Sequence, residues 1–272
     1  MSLKEIRQLL QTFNITPNKL LGQNFMIEPA FYPKLANYAK LVSSDIVLDA
    51  GAGFGFLSQF LCNNCRSVIA VEKDPQIALA LRQQTSAFVN ITVVEGDVLK
   101  TALPIFNKVI AAPPYYLSSK LVLFLLEHNI DCAVLIVQKE FANRLVAEVG
   151  SEDYSWLTVI VSQKATVEFL DFVPKDMFYP SPDVDSIILR IKTRQVPFFT
   201  VKDTLFFERM VKWLFTERNK KLSNALEPFI KSTLNVNKKA FQDILQNLPY
   251  HDMRPRELYP ENFGALANAF TN

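Results

Sequence analysis

The sequence predicts an α/β protein, in which a mostly parallel sheet carries helices on its faces and a small all-α region follows. Three observations lead to this prediction. Short β-rich runs alternate with helical patterns from about residue 44 to 192. One of these runs ends in a turn with three closely spaced glycines. After residue 192 the apolar residues recur at helical spacing, and no further run is typical of a strand.

The elements of the sheet region follow from these runs. Each short apolar run reads as a strand buried on both faces, and each intervening amphipathic run reads as a crossover helix. The predicted strands are 46–50, 67–71, 91–94, 108–111 and 132–137, and the predicted helices are 57–63, 75–84 and 118–127.

Two further β-rich runs, 157–172 and 185–192, surround the proline-rich loop 173–184. Prolines in this loop forbid a regular ladder, so we expect the two runs to close the sheet as an antiparallel pair. The later periodic runs predict four helices, at 205–215, 220–229, 238–245 and 261–270.

The change of character predicts a domain boundary within 193–200, where Pro197 interrupts the pattern. We expect one large domain over residues 1–195, which includes an N-terminal extension, and a small helical domain over residues 196–272.

The basic charge lies mostly in the C-terminal part of the chain. Residues 1–189 carry 15 Lys and Arg against 19 Asp and Glu, whereas residues 190–272 carry 14 against 8. This asymmetry favours a polyanion contact in the C-terminal part.

The composition excludes several classes of protein. With 272 residues, 49% hydrophobic and 21% charged, the chain can bury a large core. No apolar run is long enough to span a membrane, and the N-terminus lacks a secretory pattern, so we expect a cytoplasmic protein with no membrane partner. Nothing in the sequence demands an oligomer, and we expect a monomer.

The cysteines and histidines do not predict a metal site. Three cysteines do not make a disulfide framework. Cys62 and Cys65 form a C-x-x-C, but no second cysteine pair accompanies them, and only His128 and His251 are present elsewhere. We therefore expect no bound metal, and we interpret both histidines as structural.

The turn at residues 49–55 reads D-A-G-A-G-F-G and predicts a nucleoside site. Gly51 and Gly53 carry no Cβ, so the backbone can approach a ligand closely there. Glu72, which closes the next apolar run, is placed to bind ribose hydroxyls. The dinucleotide fingerprint needs a glycine where this chain has Phe56. The turn therefore favours S-adenosylmethionine, which carries no phosphate, over nicotinamide and flavin cofactors.

Four apolar runs end in candidate functional residues: the glycine turn, Glu72, Asp97 and the segment 111–116 (A-A-P-P-Y-Y). Because the carboxyl ends of parallel strands share one edge of a sheet, these residues should meet in one pocket. We expect Asp97 to accept a hydrogen bond from an adenine amine, Glu72 to bind the ribose, and the glycine turn to contact the methionine portion.

Pro113, Pro114 and Tyr115 predict the chemistry. The amino group of a nucleobase is a poor nucleophile because its lone pair is delocalised into the ring, so methyl transfer to it requires hydrogen-bond acceptors. The prolines stiffen the loop and fix its carbonyls, and Tyr115 can stack on an extruded base. Pro113 and Tyr115 are thus the candidate catalytic residues. Transfer from a sulfonium needs alignment and electrostatics, and no metal.

With these motifs the chain resembles the small-subunit ribosomal RNA adenine dimethyltransferases, and the resemblance extends over almost its whole length. The resemblance rests on nine ordered segments: 21–25 (LGQNF), 49–55, 71–74 (VEKD), 95–97 (EGD), 113–115 (PPY), 138–140 (QKE), 178–182 (FYPSP) followed by Val184 and Ser186, 218–224 (RNKKLSN) and 254–258 (RPREL).

The resemblance implies a Rossmann-like S-adenosylmethionine-dependent methyltransferase that dimethylates N6 of two adjacent adenosines near the 3′ end of small-subunit rRNA. Its partner would be the rRNA of a pre-ribosomal particle, docked by the helical domain. Carried over by position, the cofactor contacts fall on Asn24, Met26, Gly51, Glu72, Asp97 and Ala112; Tyr115 and Phe178 hold the target adenine; and Arg218, Lys220 and Lys221 contact phosphates.

One position departs from the family pattern. The family usually has Asn-Leu-Pro-Tyr or Asn-Ile-Pro-Tyr in this loop, whereas the chain has Ala112 before Pro113. The carboxamide that would accept a hydrogen bond from the target amine is missing, which leaves the Pro113 carbonyl, with help from water or Tyr116. Two alternatives stay open: a ribosome-assembly factor with weak or no methylation, and a large-subunit rRNA adenine methyltransferase.

Overall fold

The computed structural model describes residues 3–18, 22–233 and 250–270, and its centre is a seven-stranded sheet. The chain divides into two compact units, one of residues 1–142 with 167–193 and one of residues 143–166 with 194–272. The sequence placed a single boundary between residues 195 and 196. The structure instead groups residues 143–166 with the C-terminal residues.

The strands and helices of the first unit alternate along the chain, as the sequence predicted. The strands are β1 (Phe25–Met26), β2 (Ile46–Ala50), β3 (Ser67–Glu72), β4 (Ile91–Glu95), β5 (Lys108–Ala111), β6 (Cys132–Gln138), β7 (Ala165–Val173), β8 (Phe178–Tyr179) and β9 (Ser186–Thr193). The helices are α1 (Leu3–Thr12), α2 (Phe31–Tyr38), α3 (Phe56–Cys62), α4 (Pro75–Thr85), α5 (Ser118–Leu126) and α6 (Lys139–Leu145), the last of which continues into the second unit.

The large sheet has the order β4-β3-β2-β5-β6-β9-β7, and β1 and β8 form a separate two-stranded ribbon. Strands β2 to β6 pair in parallel, whereas β9 is antiparallel to β6, with Leu135 opposite Leu189. The chain winds outward from β2 to β4 and then returns to β5 on the other side of β2. This reversal opens a crevice at the carboxyl ends of β2 and β5, where an open α/β sheet binds its ligands.

The core explains why these runs form strands. Every residue of β5 is buried, and so is all of β6 except its last residue, as expected for central strands covered on both faces. One apolar cluster joins α2 and α3 to the sheet through residues such as Leu35, Leu61 and Val134. A second cluster packs Ile6 and Leu10 of α1 near the glycine turn. The ligand crevice therefore rests on a rigid base.

A buried ion pair fixes the opposite edge of the sheet, where β2 and β5 begin. Lys108 Nζ lies 2.8 Å from Asp45 Oδ2 and donates to the Lys40 carbonyl at 2.7 Å. Asn107 donates to the other Asp45 oxygen at 2.8 Å and accepts from the Ile46 N–H. Because both charges are fully paired and hydrogen-bonded, the strand starts are held without an orphaned charge.

The described part of the second unit is mainly helical, and it includes the start of a predicted element that the structure overturns. Residues 157–172 were expected to form one β-rich run, but Trp156–Lys164 is a helix, α7, and only Ala165–Val173 is a strand. A continuous apolar run does not distinguish a buried helix from a buried strand. Here Thr158 accepts from the Ser155 N–H at 3.1 Å to start the helix.

The other helices of this unit are α8 (Thr204–Thr216), α9 (Leu222–Thr233) and α10 (Pro260–Phe270), which confirm three predicted helices. The predicted helix at 238–245 lies outside the described residues. Helix α7 packs against α8 and α10, and Tyr154 donates from its buried hydroxyl to the Leu258 carbonyl at 2.7 Å. Among the helices in the described ranges, none has the length and apolarity needed to cross a bilayer.

The buried ion pair generates a stability prediction. Lys108→Met removes the ammonium but leaves the Asp45 carboxylate buried, so the free energy of unfolding should fall by about 3–5 kcal/mol. Denaturant titration followed by circular dichroism measures this. The matched control is Lys220→Met, because Lys220 pairs with Glu217 on the surface and should contribute no more than about 1 kcal/mol. Equal, small effects of the two substitutions would contradict the prediction.

Candidate active site

The main candidate site, here called the main cleft, lies at the carboxyl ends of β2 to β5. Including its open mouth it holds about 920 Å³ of empty space, a volume suited to a cofactor-sized ligand. Its walls come from the loop before β1, the glycine turn, and the segments after β3, β4 and β5. The lining residues are Gly22, Gln23, Asn24, Phe25, Gly51, Gly53, Val71, Glu72, Lys73, Asp74, Pro75, Ile77, Asp97, Val98, Ala112, Pro114, Tyr116 and Leu117.

The Glu72 carboxylate fastens the glycine turn to the end of β3. Its Oε2 accepts from the Gly53 N–H at 3.0 Å, and its Oε1 accepts from the N–H groups of Lys73 and Asp74 at 2.8 and 2.9 Å. Burial raises the pKa of Glu72 above its usual value, although these hydrogen bonds oppose the shift. Since a carboxylate has about four acceptor positions, one stays available for a ribose hydroxyl. A second hydroxyl must displace a backbone N–H.

Asp97 lies at the β4 end of the same cleft with acceptor capacity to spare. Its Oδ1 accepts from the Leu99 N–H at 3.1 Å, and its Oδ2 lies 3.3 Å from Lys73 Nζ. Burial alone would raise the pKa of Asp97, but the Leu99 and Lys73 contacts outweigh it and lower the pKa. Asp97 is therefore an ionised acceptor, suited to the exocyclic amine of an adenine.

Pro114 is the point where three loops meet. A Cβ on Gly51, whose φ is +81°, would lie 2.7 Å from Pro114 Cδ. A Cβ on Gly22, whose φ is +61°, would lie 3.3 Å from Pro114 Cβ. Both glycines thus provide a positive φ and the space that the proline ring fills. The N-terminal loop, the glycine turn and the Pro-Pro loop are packed into one unit.

A smaller opening, the side pocket, lies beyond Pro114. Tyr115 and Phe178, the predicted adenine-binding pair, both line it, together with Gly22, Asn24, Ala112, Pro113 and Ile136. The β1–β8 ribbon sets the position of Phe178, because Met26 is its partner across the ribbon. The N-terminal loop and the segment around Phe178, far apart in sequence, are therefore held side by side.

The adjacent tyrosines Tyr115 and Tyr116 face different openings. Tyr115 lines the side pocket, and its hydroxyl lies 2.7 Å from the Oγ of the buried Ser186. Burial raises the pKa of Tyr115, so the hydroxyl stays protonated at neutral pH. Tyr116 lines the main cleft and is 48% exposed. The sequence assigned Tyr116 to the target amine, but the structure places it on the wall of the main cleft.

Behind the glycine turn lies a third opening, the rear cavity, which both Met26 and Ala112 line. Met26 does not border the main cleft; it is buried, and its predicted role as a cofactor contact gains no direct geometric support. Asp49, only 1% exposed, also lines the rear cavity and accepts from Ser58 Oγ at 2.7 Å. Burial raises the pKa of Asp49 to about 7, against the Ser58 hydrogen bond and with a contribution from Glu72.

Among the predicted phosphate contacts, Arg218 has a structural role within the second unit. Its guanidinium donates to the carbonyls of Ser151 and Glu152 at 2.9 and 3.0 Å. Arg218 therefore ties the loop before α7 to the end of α8. Binding of a phosphate by the same guanidinium must compete with these two hydrogen bonds or use its remaining N–H groups.

Lys220 and Lys221 form exposed ion pairs in the same unit. Lys220 lies 2.9 Å from Glu217, and Lys221 lies 2.9 Å from Asp252. The Lys221 hydrogen bond lowers the pKa of Asp252. Exposed pairs are weak because water and salt screen them, so a phosphate can replace either carboxylate at little cost.

Several residues of the site carried no assigned role in the sequence prediction. Lys73 was only part of a motif, yet its side chain contacts Asp97. Asp49 was the first letter of the glycine turn, and its burial behind the turn depends on packing that no local pattern reveals. Ser186 had no role either, because its contact with Tyr115 joins residues 71 positions apart. Among the described residues, no group of His, Cys, Asp and Glu is arranged to hold a metal.

The fold and the cleft define a class: an α/β methyltransferase of the Rossmann-like kind. The chain matches the family described as ribosomal RNA adenine dimethylase over residues 14–259. It belongs to this family, which confirms the resemblance seen in the sequence.

Individual relatives agree with this assignment. A protein of Methanosarcina mazei, named as a probable ribosomal RNA small subunit methyltransferase A, is 35% identical over 97% of this chain and 96% of its own. The crystal structure of a dimethyladenosine transferase from Plasmodium falciparum is 30% identical, with a TM-score of 0.78 over 90% of this chain and 97% of its own. The 23S rRNA methyltransferase ErmE is 28% identical, with a TM-score of 0.66 over 92% of this chain and 100% of its own.

The packing at Pro114 generates a second prediction. Gly51→Ala should lower the free energy of unfolding by about 1–3 kcal/mol more than Gly150→Ala does, because only the new methyl at position 51 meets a proline ring. The control is matched: Gly150 has a φ of +86°, close to that of Gly51, and nothing within 4 Å of its Cβ position. Both variants therefore carry the same backbone strain. Equal losses in denaturant titrations would show that the close contact with Pro114 contributes nothing.

Asp49 generates a prediction about pH. Its folded-state pKa of about 7 lies above its ordinary value of 3.8, so its contribution to stability is complete below about pH 4 and is lost as the pH rises through 7. Asp49→Asn stays neutral, so its free energy of unfolding relative to wild type should increase from pH 4 to pH 8, by up to about 4 kcal/mol. Asp153→Asn, at an exposed position, controls for net charge. A difference independent of pH would contradict the assignment.

Proposed function

We propose that the protein uses S-adenosylmethionine to dimethylate N6 of two adjacent adenosines near the 3′ end of small-subunit rRNA, within a pre-ribosomal particle. The observation that carries this proposal is the adjacency of the two openings. The main cleft holds Glu72 and Asp97, and two aromatic residues, Tyr115 and Phe178, line the side pocket. Asn24, Ala112 and Gly22 line both. A methyl donor and an extruded base can thus meet at this shared wall.

The residues of the main cleft fit S-adenosylmethionine. Asp97 offers free acceptor positions for an adenine amine, and Glu72 offers one for a ribose hydroxyl. Gly51 and Gly53 leave the turn without side chains at the point where the methionine portion would lie. The cleft wall is mainly apolar apart from these groups, as in most small-molecule sites. When bound, the sulfonium supplies an already activated methyl group.

The residues of the chain then provide alignment and acceptors. Tyr115 and Phe178 hold the target base in the side pocket by stacking, which is worth about 1–3 kcal/mol per base. The Ser186 contact keeps the Tyr115 ring in place. The Pro113 carbonyl, held rigid by the packing of Pro114, is an acceptor near the target amine. Positioning of this kind lowers the barrier without a covalent enzyme intermediate.

The basic second unit supports rRNA as the partner, with Arg218, Lys220 and Lys221 as phosphate contacts. The proposal includes cytoplasmic location and action as a monomer. Relatives named for the small subunit cover almost the whole chain. The lower TM-score of ErmE disfavours the large-subunit alternative.

One observation favours a second function, a ribosome-assembly factor with weak transfer: Ala112 supplies no side-chain acceptor to the side pocket. Ala112→Asn tests it. A gain of about 10²-fold in transfer rate would support the assembly factor, since that is the cost of one missing hydrogen bond to a developing charge. If the wild type turns over robustly and Ala112→Asn raises its transfer rate by less than about threefold, the assembly-factor function is contradicted.

The proposed function predicts a defined product. Purified protein with S-adenosylmethionine should transfer four methyl groups to each immature small-subunit particle, two on each adenosine, as read by mass spectrometry of the 3′-terminal fragment. Phe178→Ala and Tyr115→Ala should each lower the rate by roughly 5- to 150-fold through loss of stacking. Methyl groups on the large-subunit rRNA alone, or none on either rRNA, would contradict the proposal.

A further inference from the structure

The side pocket offers few acceptors for an amine. Of the side chains that line it in the described part of the chain, only Asn24 and Tyr115 carry polar atoms. The Tyr115 hydroxyl already contacts Ser186 at 2.7 Å. Ala112 ends in a methyl group, and Pro113 contributes only its carbonyl. Asn24 is therefore the side chain of the side pocket whose oxygen can accept a hydrogen bond from an amine.

Asn24 also lies where the reaction must take place. It lines the main cleft, the rear cavity and the side pocket, and so stands between the proposed donor and the proposed target. Its backbone is fixed, because its N–H donates to the Gly22 carbonyl at 3.0 Å and β1 begins at the next residue. Through the pairing of Met26 with Phe178, this segment is held beside the aromatic wall of the side pocket.

The carboxamide of Asn24 has an oxygen to spare. Its Nδ2 donates to the Gly22 carbonyl at 3.4 Å. Within the described ranges, no hydrogen bond reaches its Oδ1. A carboxamide oxygen is a neutral acceptor with two lone pairs, which can bind an amine N–H without neutralising the charge of a nearby sulfonium.

We propose that Asn24 Oδ1 accepts a hydrogen bond from the exocyclic amine of the target adenine and so provides the acceptor that the Ala112 position lacks. This inference rests on the proposed function. Asn24 is then a catalytic residue, and its acceptor acts together with the Pro113 carbonyl. In the first transfer, two acceptors on the two N–H groups draw the nitrogen away from planarity and free its lone pair.

The step is balanced in atoms and electrons. The amine nitrogen forms a bond to the methyl carbon as the carbon–sulfur bond of the sulfonium donor breaks, and that electron pair returns to sulfur, which leaves as a neutral thioether. Positive charge develops on the nitrogen, and its surplus proton passes to water. The hydrogen bond to Asn24 strengthens as this charge develops, so it acts on the transition state.

The competing interpretation is that Asn24 only binds the donor. The two interpretations differ in where a substitution acts. Loss of a donor contact lowers affinity and is overcome by saturating donor, whereas loss of an acceptor for the amine lowers the rate at saturation. Donor affinity is measured separately, by calorimetry with S-adenosylhomocysteine.

The experiment is a double-mutant cycle on the full chain with Asn24→Ala, Ala112→Asn and both together. Single-turnover transfer to immature small-subunit particles is measured at saturating S-adenosylmethionine. Asn24→Ala should lower the rate by about 10²-fold and weaken S-adenosylhomocysteine binding by less than about fivefold. Ala112→Asn should change the wild-type rate by less than about threefold but raise the Asn24→Ala rate by about tenfold or more.

Two further variants guard against a folding defect. Asn24→Asp keeps an acceptor of the same shape and should retain a rate within about tenfold of wild type. Asn63→Ala deletes a carboxamide at an exposed position and should leave rate and affinity unchanged.

The outcomes separate the claims. The inference is overturned if Asn24→Ala leaves the rate at saturating donor unchanged. It is also overturned if Asn24→Ala loses rate, Ala112→Asn does not restore that rate, and Asn24→Asp shows the same loss. In both cases, methyl transfer by the wild type still upholds the proposed function. A wild type that neither binds S-adenosylhomocysteine nor transfers a methyl group overturns both.

Discussion

The site depends on the close packing of three loops around the Pro114 ring. Gly51 and Gly22 approach this ring on two sides, and each has a positive φ that a larger residue would occupy only with strain. Because Pro114 is itself rigid, the contact fixes the carbonyl of Pro113 and the direction of the two following tyrosines. The shape of both openings thus follows from one apolar contact that only glycines permit.

Charges and hydrogen bonds orient the side chains of the main cleft on these packed loops. Glu72 ties the glycine turn to β3, and Lys73 reaches Asp97 at the end of β4, so Glu72 and Asp97 are oriented before any ligand arrives. The side pocket is different, because Tyr115 and Phe178 line it and, among the described residues, no acid does. A cleft with oriented acids beside a pocket with aromatic side chains suits a polar nucleoside donor and a flat base. Because so few of the described side chains that line the side pocket can accept a hydrogen bond, the oxygen of Asn24 matters there.

The sequence predicted the sheet well because its strands are short, mostly apolar runs, as in Ile46–Ala50 and Lys108–Ala111. The cleft residues Glu72 and Asp97 were predictable because strand ends share an edge. Helix α7 was not, since its run of β-branched residues fits a strand equally well until its burial is known. Nor could local patterns show that Tyr116 turns away from Tyr115, or that Asn24 borders three openings, because both depend on packing between distant segments.

The most direct test of the central claim is a crystal structure with S-adenosylhomocysteine and an adenosine nucleotide bound together. We expect the donor product in the main cleft, with its adenine at Asp97 and its ribose at Glu72, and the nucleotide base between Tyr115 and Phe178 in the side pocket. A donor product bound elsewhere, or a base that occupies the main cleft in its place, would contradict the claim.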